Sequence, residues 1–194
     1  QEVAATWQEY VDYQDIRVLE IGMDLAYFDH LKRLAENLEH PLLESLVTLT
    51  IDCYNVITVE RALSLKKPGS FMKQLLSDAG TLSAREVIQC VKQGNLISWF
   101  QQVNPLPYDV ELTRYEEQMR AGRVSAETVE YLEHVIKYRI LEQASFETDG
   151  PLPLARYLFG KELEVKNLRL VLTGLDNQLP IDKIKERMRP IYGQ

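Results

Sequence analysis

The stretches Ile51-Asp52-Cys53-Tyr54-Asn55-Val56-Ile57 and Leu163-Glu164-Val165-Lys166-Asn167-Leu168-Arg169 follow one pattern. In each an apolar residue precedes a carboxylate, and an Asn follows the acid by three places inside an apolar helical period. The two carboxylates are 112 residues apart, far beyond the roughly 20–50 residues of a solenoid repeat. A second pair lies at nearly the same distance: Leu19-Glu20 and Leu132-Glu133 open helical patterns 113 residues apart. A third match pairs Leu82-Ser83-Ala84-Arg85-Glu86-Val87-Ile88 with Leu179-Pro180-Ile181-Asp182-Lys183-Ile184, each an apolar residue before a short capped helix. Three matches in the same order read as one structural unit used twice.

Apolar residues make up 45% of the chain and charged residues 26%, proportions of a packed globular protein rather than a disordered one. The net charge of −7 argues against a general nucleic-acid binder, which would be basic. The charge is uneven. From Arg156 onward eight Lys and Arg face five Asp and Glu, a net of +3 that leaves −10 for the rest. Such asymmetry suits docking between oppositely charged surfaces, and two solvated faces suit it equally. Cys53 and Cys90 lie in apolar helical patterns without metal-ligand spacing, and read as buried thiols of a reducing compartment. The chain does not start with Met and opens in what looks like the middle of a helix, so it is expected to be part of a longer polypeptide. No unbroken apolar run reaches the ~18 residues of a membrane span.

Taken in order, helices are expected over residues 3–13, over 16–38 with Asp15 as cap, and from Pro41 to about Leu65, stopped by Pro68-Gly69. The stripe of the second is Ile16, Leu19, Met23, Tyr27, Leu31, Leu34 and Leu38; that of the third is Leu42, Leu46, Leu49, Cys53 and Val56. Short helices follow at 71–76, at 83–91 behind Ser83, and at 96–103. Asn104-Pro105-Leu106-Pro107 is the clearest break. Beyond it come a helix over 109–120 ending at Gly122 and a strong helix behind Ser125, where Thr128 stands in the capping-box position. Then follow a helix over 154–172, with the stripe Leu154, Leu158, Val165, Leu168 and Leu172, and a last helix between Pro180 and Pro190. Sustained period-two alternation is absent, so the chain reads as all-α. The expected division is a tail of a preceding helical unit at 1–14, one helical unit at 15–105 and a second at 106–194.

Asp52 with Asn55, and Glu164 with Asn167, are spaced i,i+3 and share a helix face. Asn is a poor helix former because its amide competes for backbone groups. Its mid-helix placement in both stretches suggests that the amide bonds a nearby loop, held by the carboxylate. Arg169, two places after Asn167, is positioned to reach a carboxylate on a neighbouring helix. For catalysis the pattern is poor. His30, His40 and His134 fall on separate helices, and Glu130-Tyr131-Leu132-Glu133-His134 has Glu where the zinc motif H-x-x-E-H needs its first ligand. No phosphate-binding or nucleophile motif is present, so neither a cofactor nor a metal is expected.

At these residues the chain resembles the C subunits of the bacterial and archaeal V/A-type ATPases, which are similar to the d subunit of the eukaryotic vacuolar ATPase. Lys161-Glu162-Leu163-Glu164-Val165-Lys166-Asn167-Leu168-Arg169 looks like that family's closing Glu-x-x-Asn-[Ile/Leu]-Arg signature, and Ile51-Asp52-Cys53-Tyr54-Asn55-Val56 like its Asp-x-x-Asn element. Upstream, Ile57 stands where the signature has Arg. The family is built from three similar helical units, so the resemblance covers the last two. It implies a funnel-shaped, all-α, non-catalytic rotor part on the cytoplasmic side of the membrane, a peripheral protein of the central stalk. Its partners would be the central shaft subunits and the membrane rotor ring. It would couple ATP hydrolysis or ATP synthesis to ion movement. Lys183, Lys185, Arg187 and Arg189 form the basic tail expected to dock a partner. The alternative from another class is a soluble helical adaptor that binds a partner helix.

Overall fold

A computed structural model describes residues 16–103, 110–121, 124–191 and 193, together with positions 4, 7, 8, 10 and 11, which are helical. The expected cap at Asp15, the break at 104–107 and the helix end at Gly122 lie outside the described residues. Nine helices are bounded among the described residues, and there is no strand among them. They are α1 (Ile16–Asn37), α2 (Pro41–Ser64), α3 (Gly69–Leu75), α4 (Ala84–Lys92), α5 (Ile97–Val103), α6 (Val110–Arg120), α7 (Ala126–Glu142), α8 (Leu152–Asp176) and α9 (Ile181–Lys185). The fold is all-α. Two compact units divide the chain, with Val129 the last residue of one and Glu130 the first of the other.

The first unit is organised on α2. Pro41 occupies its first turn, where a missing N–H costs nothing, and Arg61 sits in its last turn against the helix dipole. Ile51, Asp52, Cys53, Asn55, Val56, Val59 and Ala62 are all buried, so this helix is wrapped on most of its circumference. By length and composition α2 would pass as a membrane span, with an 18-residue window of mean hydropathy 1.4. Its centre nevertheless holds a buried carboxyl and a buried amide, which a lipid-facing helix would not carry. Helices α1, α3 and α4 pack on it. Ser83 caps α4 through a complete capping box: its Oγ accepts from Glu86 N and its own N–H donates to Glu86 Oε2 at 2.9 Å. Ser125 caps α7 by accepting from Thr128 N at 3.2 Å, and its hydroxyl lies 3.1 Å from the Thr128 hydroxyl.

In the second unit α8 is the long element. Its buried residues are Leu152, Gly160, Leu163, Asn167 and Gly174, and the stripe Leu154, Leu158, Val165, Leu168, Leu172 points outward. The apolar stripe of α1 is likewise open at Ile16, Met23, Tyr27, Leu34 and Leu38, while Phe28 and Ala35 are buried. Period alone locates an apolar face; it does not say that the unit itself covers that face.

The ends of α2 and α8 are built alike. Leu65 N–H donates to Arg61 O, and Asn177 N–H to Thr173 O. Lys67 donates to Ala62 O and Leu179 to Gly174 O, both at 2.9 Å. Between them Lys66 (φ 53°) and Gln178 (φ 55°) take the left-handed conformation that reverses the chain. Pro68 and Pro180 follow, and their carbonyls accept from Met72 N and Ile184 N to start α3 and α9. Every pair is separated by 112 residues. The third sequence match, which sets residues 179–184 against 82–88, has a different offset: the bonds place α9 with α3 and leave α4 without a counterpart among the described residues. Replacing Ser83 by Ala removes one cap acceptor, so urea denaturation is expected to show a loss of about 1 kcal/mol.

Candidate functional site

A mid-helix asparagine is buried in each unit, Asn55 in the first and Asn167 in the second. Asn55 is fully buried in α2. Its Oδ1 accepts from Ser77 N at 3.0 Å, and its Nδ2 donates to Ser77 O at 2.8 Å. Asn167 in α8 does the same to Arg189: Arg189 N–H donates to its Oδ1 at 2.8 Å, and its Nδ2 donates to Arg189 O at 3.0 Å. Each amide thus grips one residue by both backbone groups, 22 positions further along the chain. Only an uncharged amide offers a donor and an acceptor at the required spacing; Asp would face the carbonyl with an anion.

The carboxylates that precede these asparagines behave differently. Asp52 is buried, and its Oδ1 accepts from Thr81 N at 2.8 Å. Gly80 lies so close that a Cβ there would sit 2.3 Å from the same oxygen. Its other oxygen, Oδ2, and the buried indole N–H of Trp99 each lack a hydrogen bond of ordinary geometry. Burial pushes the Asp52 carboxyl above its usual 3.8, with the donors at Thr81 and Leu82 pulling the other way. Glu164, by contrast, ion-pairs at the surface with Lys161 at 2.8 Å and takes no part in the grip on Arg189. The acid secures the loop beyond Ser77 in the first unit only. Arg169 is exposed, and none of the ion pairs among the described residues includes it.

The C-terminal segment is held by α7 as well. Tyr131 donates to Met188 O at 3.3 Å and Tyr138 to Ile191 O at 3.1 Å. Arg189 Nε donates to His134 Nδ1 at 3.1 Å, while Lys166 Nζ lies 2.6 Å from Nε2 and also pairs with Glu162. Burial, then the charges of Lys166, Arg189 and Lys137, hold His134 down at about 3, so the ring is neutral. Of the basic tail, Arg189 is therefore engaged within its own unit, half-buried against Asn167 and His134. Lys183 pairs with Glu186 at 3.1 Å, and Lys185 and Arg187 are exposed. His134 is the residue that sequence spacing passed over. Its isolated position gives no sign that the chain end folds onto it.

Among the described residues no three His, Cys, Asp or Glu side chains converge as a metal site would need, and neither Cys53 nor Cys90 is in a disulfide. The arrangement fastens loops to helices.

Truncating Asn55 to Ala strands a buried N–H and a buried C=O, and is expected to cost about 2–4 kcal/mol in urea melts. The same change at Asn167 is expected to cost less, because Arg189 is only half-buried. The two titrating groups act in opposite senses. His134 has a folded value below its ordinary 6.5, so its stabilisation is full above 6.5 and is lost as pH falls toward about 3. Asp52, raised from 3.8, contributes most below that value and less as pH rises through its folded value. Thermal midpoints at pH 7 and pH 4.5 are expected to fall on acidification in the native chain and to fall much less in His134→Gln.

The family described as ATP synthase (C/AC39) subunit matches residues 1–187. The C subunit of the V-type sodium ATPase of Enterococcus hirae is 30% identical over 177 residues, covering 90% of this chain and 52% of that protein. The C subunit of the A-type ATP synthase of Pyrococcus horikoshii is 23% identical over 175 residues, with 89% and 47% covered. Its namesake from Thermococcus onnurineus is 27% identical over 153 residues, with 76% and 39% covered. The chain thus spans about half the length of the curated relatives it matches, or less. No solved structure matches it at a significant level.

Proposed function

This chain belongs to the ATP synthase (C/AC39) subunit family, and on that premise we propose that it is a non-catalytic central-stalk part of a V/A-type rotary ATPase. In this reading it is a peripheral, cytoplasmic-side socket that couples the shaft of the soluble head to the membrane rotor ring. It would thereby link ATP hydrolysis or synthesis to ion transport. The observation that carries the reading is the pair of asparagine grips set in two family-like motifs. A part that passes torque needs loops that do not yield under load, and a two-point grip on a backbone supplies that without any reactive group.

The basic tail is proposed as the docking edge, carried by Lys185 and Arg187, since Arg189 is engaged by His134 and Lys183 by Glu186. The test is a pull-down of the chain with the shaft subunits and, separately, with the membrane ring. Lys185→Glu with Arg187→Glu is expected to abolish capture by one partner and spare the other. Capture by neither native partner at low ionic strength would reject the coupling role in favour of a helical adaptor.

A further inference from the structure

The segment between α7 and α8 is fastened at its feet and open at its tip. Ala144 and Leu152 are buried, whereas every residue from 145 to 151 is exposed. Ser145 N–H donates to Glu142 O at 3.0 Å and Glu147 N–H to Ala144 O at 3.1 Å, which carries the turns of α7 as far as Glu147. Glu142 pairs with Arg156 of α8 at 2.7 Å across the base of the loop. At the tip stand Asp149 and Gly150. None of the hydrogen bonds or ion pairs among the described residues includes the Asp149 carboxylate or the Gly150 N–H.

This is the one Asp-Gly pair in the sequence, and the sequence has no Asn-Gly pair. Gly150 lies at φ 79°, and a Cβ there would meet nothing within 4 Å. A residue without a side chain in open space has the freedom to turn its nitrogen toward the preceding carboxyl. Other aspartates in turns lack that freedom. Asp78 Oδ1 accepts from Ala84 N at 3.2 Å, and the nitrogen that follows it, Ala79 N, donates to Ser77 Oγ at 3.2 Å. Asp176 ends α8, and Asn177 N–H donates to Thr173 O at 3.0 Å. In each of these the nitrogen is held by an acceptor; at Gly150 it is not.

We propose that Asp149-Gly150 is a site of spontaneous isomerisation in the folded chain. The Gly150 nitrogen bonds to Asp149 Cγ, and the carboxyl hydroxyl leaves with the amide proton as one water, closing a five-membered succinimide. Water then adds back. Addition at the Asp149 main-chain carbonyl breaks its bond to the Gly150 nitrogen, so that the backbone runs through Cβ and Cγ as isoaspartate. Addition at Cγ restores aspartate. No oxidant, reductant or enzyme enters, and the atoms balance over the two steps. The product adds one carbon to the main chain between α7 and α8, and the exposed loop absorbs it because the buried residues Ala144 and Leu152 lie outside the altered bond. This chemistry is independent of the rotary reading.

The folded chain is aged for several weeks at physiological temperature and digested briefly with trypsin. Residues 140–156 come off as one peptide, in which Asp149 is the single aspartate. Mass spectrometry reads the succinimide as a loss of one water, and the isoaspartyl form as a separately eluting peptide of unchanged mass with its own backbone fragments. A synthetic peptide of residues 140–156 is aged in parallel. Isoaspartate at Asp149 is expected to form in the folded chain at a rate within about fivefold of the free peptide, as for a loop tip that nothing restrains. The Asp78-Ala79 pair, measured against its own synthetic peptide, is expected to be slowed by more than that same factor. Asp149→Glu, whose longer side chain disfavours the five-membered ring, is expected to give no such product and to keep the native circular dichroism, since the position is exposed. A folded-chain rate at Asp149 more than about fivefold below the peptide would overturn the proposal. So would equal protection at Asp149 and Asp78, because the unpaired nitrogen would then decide nothing.

Discussion

A carboxamide that meets one residue's N–H and C=O together is the constraint on which each unit depends. A loop that returns to a helix arrives with unpaired backbone groups, and burying them unpaired is costly. Asn55 and Asn167 meet both needs of the returning residue at once. The geometry upstream serves that meeting. A left-handed residue turns the chain back, a proline starts a short helix, and that helix delivers the residue to be gripped. Asn is tolerated mid-helix because its amide is turned away from its own backbone and toward another segment.

Around this common device the two units carry different chemistry. In the first, a buried carboxyl and a glycine pressed against it secure a second point of the loop. In the second, the corresponding acid has moved to the surface, and an imidazole among three cations takes up the gripped arginine. The backbone device has one solution, whereas the stabilising neighbours have several. The same contrast separates Ala62 from Gly174. The glycine lets Ile184 approach to where a Cβ would stand at 2.7 Å, so that the small helix α9 packs tightly against α8.

How much of this was legible in the sequence follows from which interactions are local. The all-helical fold, the caps at Ser83 and Ser125 and the oddity of the two asparagines are written in spacing over a few residues. The asparagines' partners are 22 residues away and are backbone groups, so no side-chain pattern marks Ser77 or Arg189. His134 is invisible for the same reason: its neighbours come from α8 and the chain end. The stripes of α1 and α8 were visible as apolar faces, but exposure is decided by which other element is present, and periodicity does not contain that information. Arg169 shows the limit of residue type as a guide, since a guanidinium that suits an ion pair stands in solvent.

The short span of the grip has a consequence for how such a chain is made. Each Asn reaches only 22 residues ahead, so the loop it closes is small and its entropy cost does not depend on the remainder of the polypeptide. During synthesis the gripped residue clears the ribosome a few seconds after its asparagine at ordinary elongation rates of roughly 5–20 residues per second. A helix with its returning loop can therefore be fastened before the next such helix exists. Tandem duplication of a segment that completes itself in this way adds length without adding a distant pairing that folding must find.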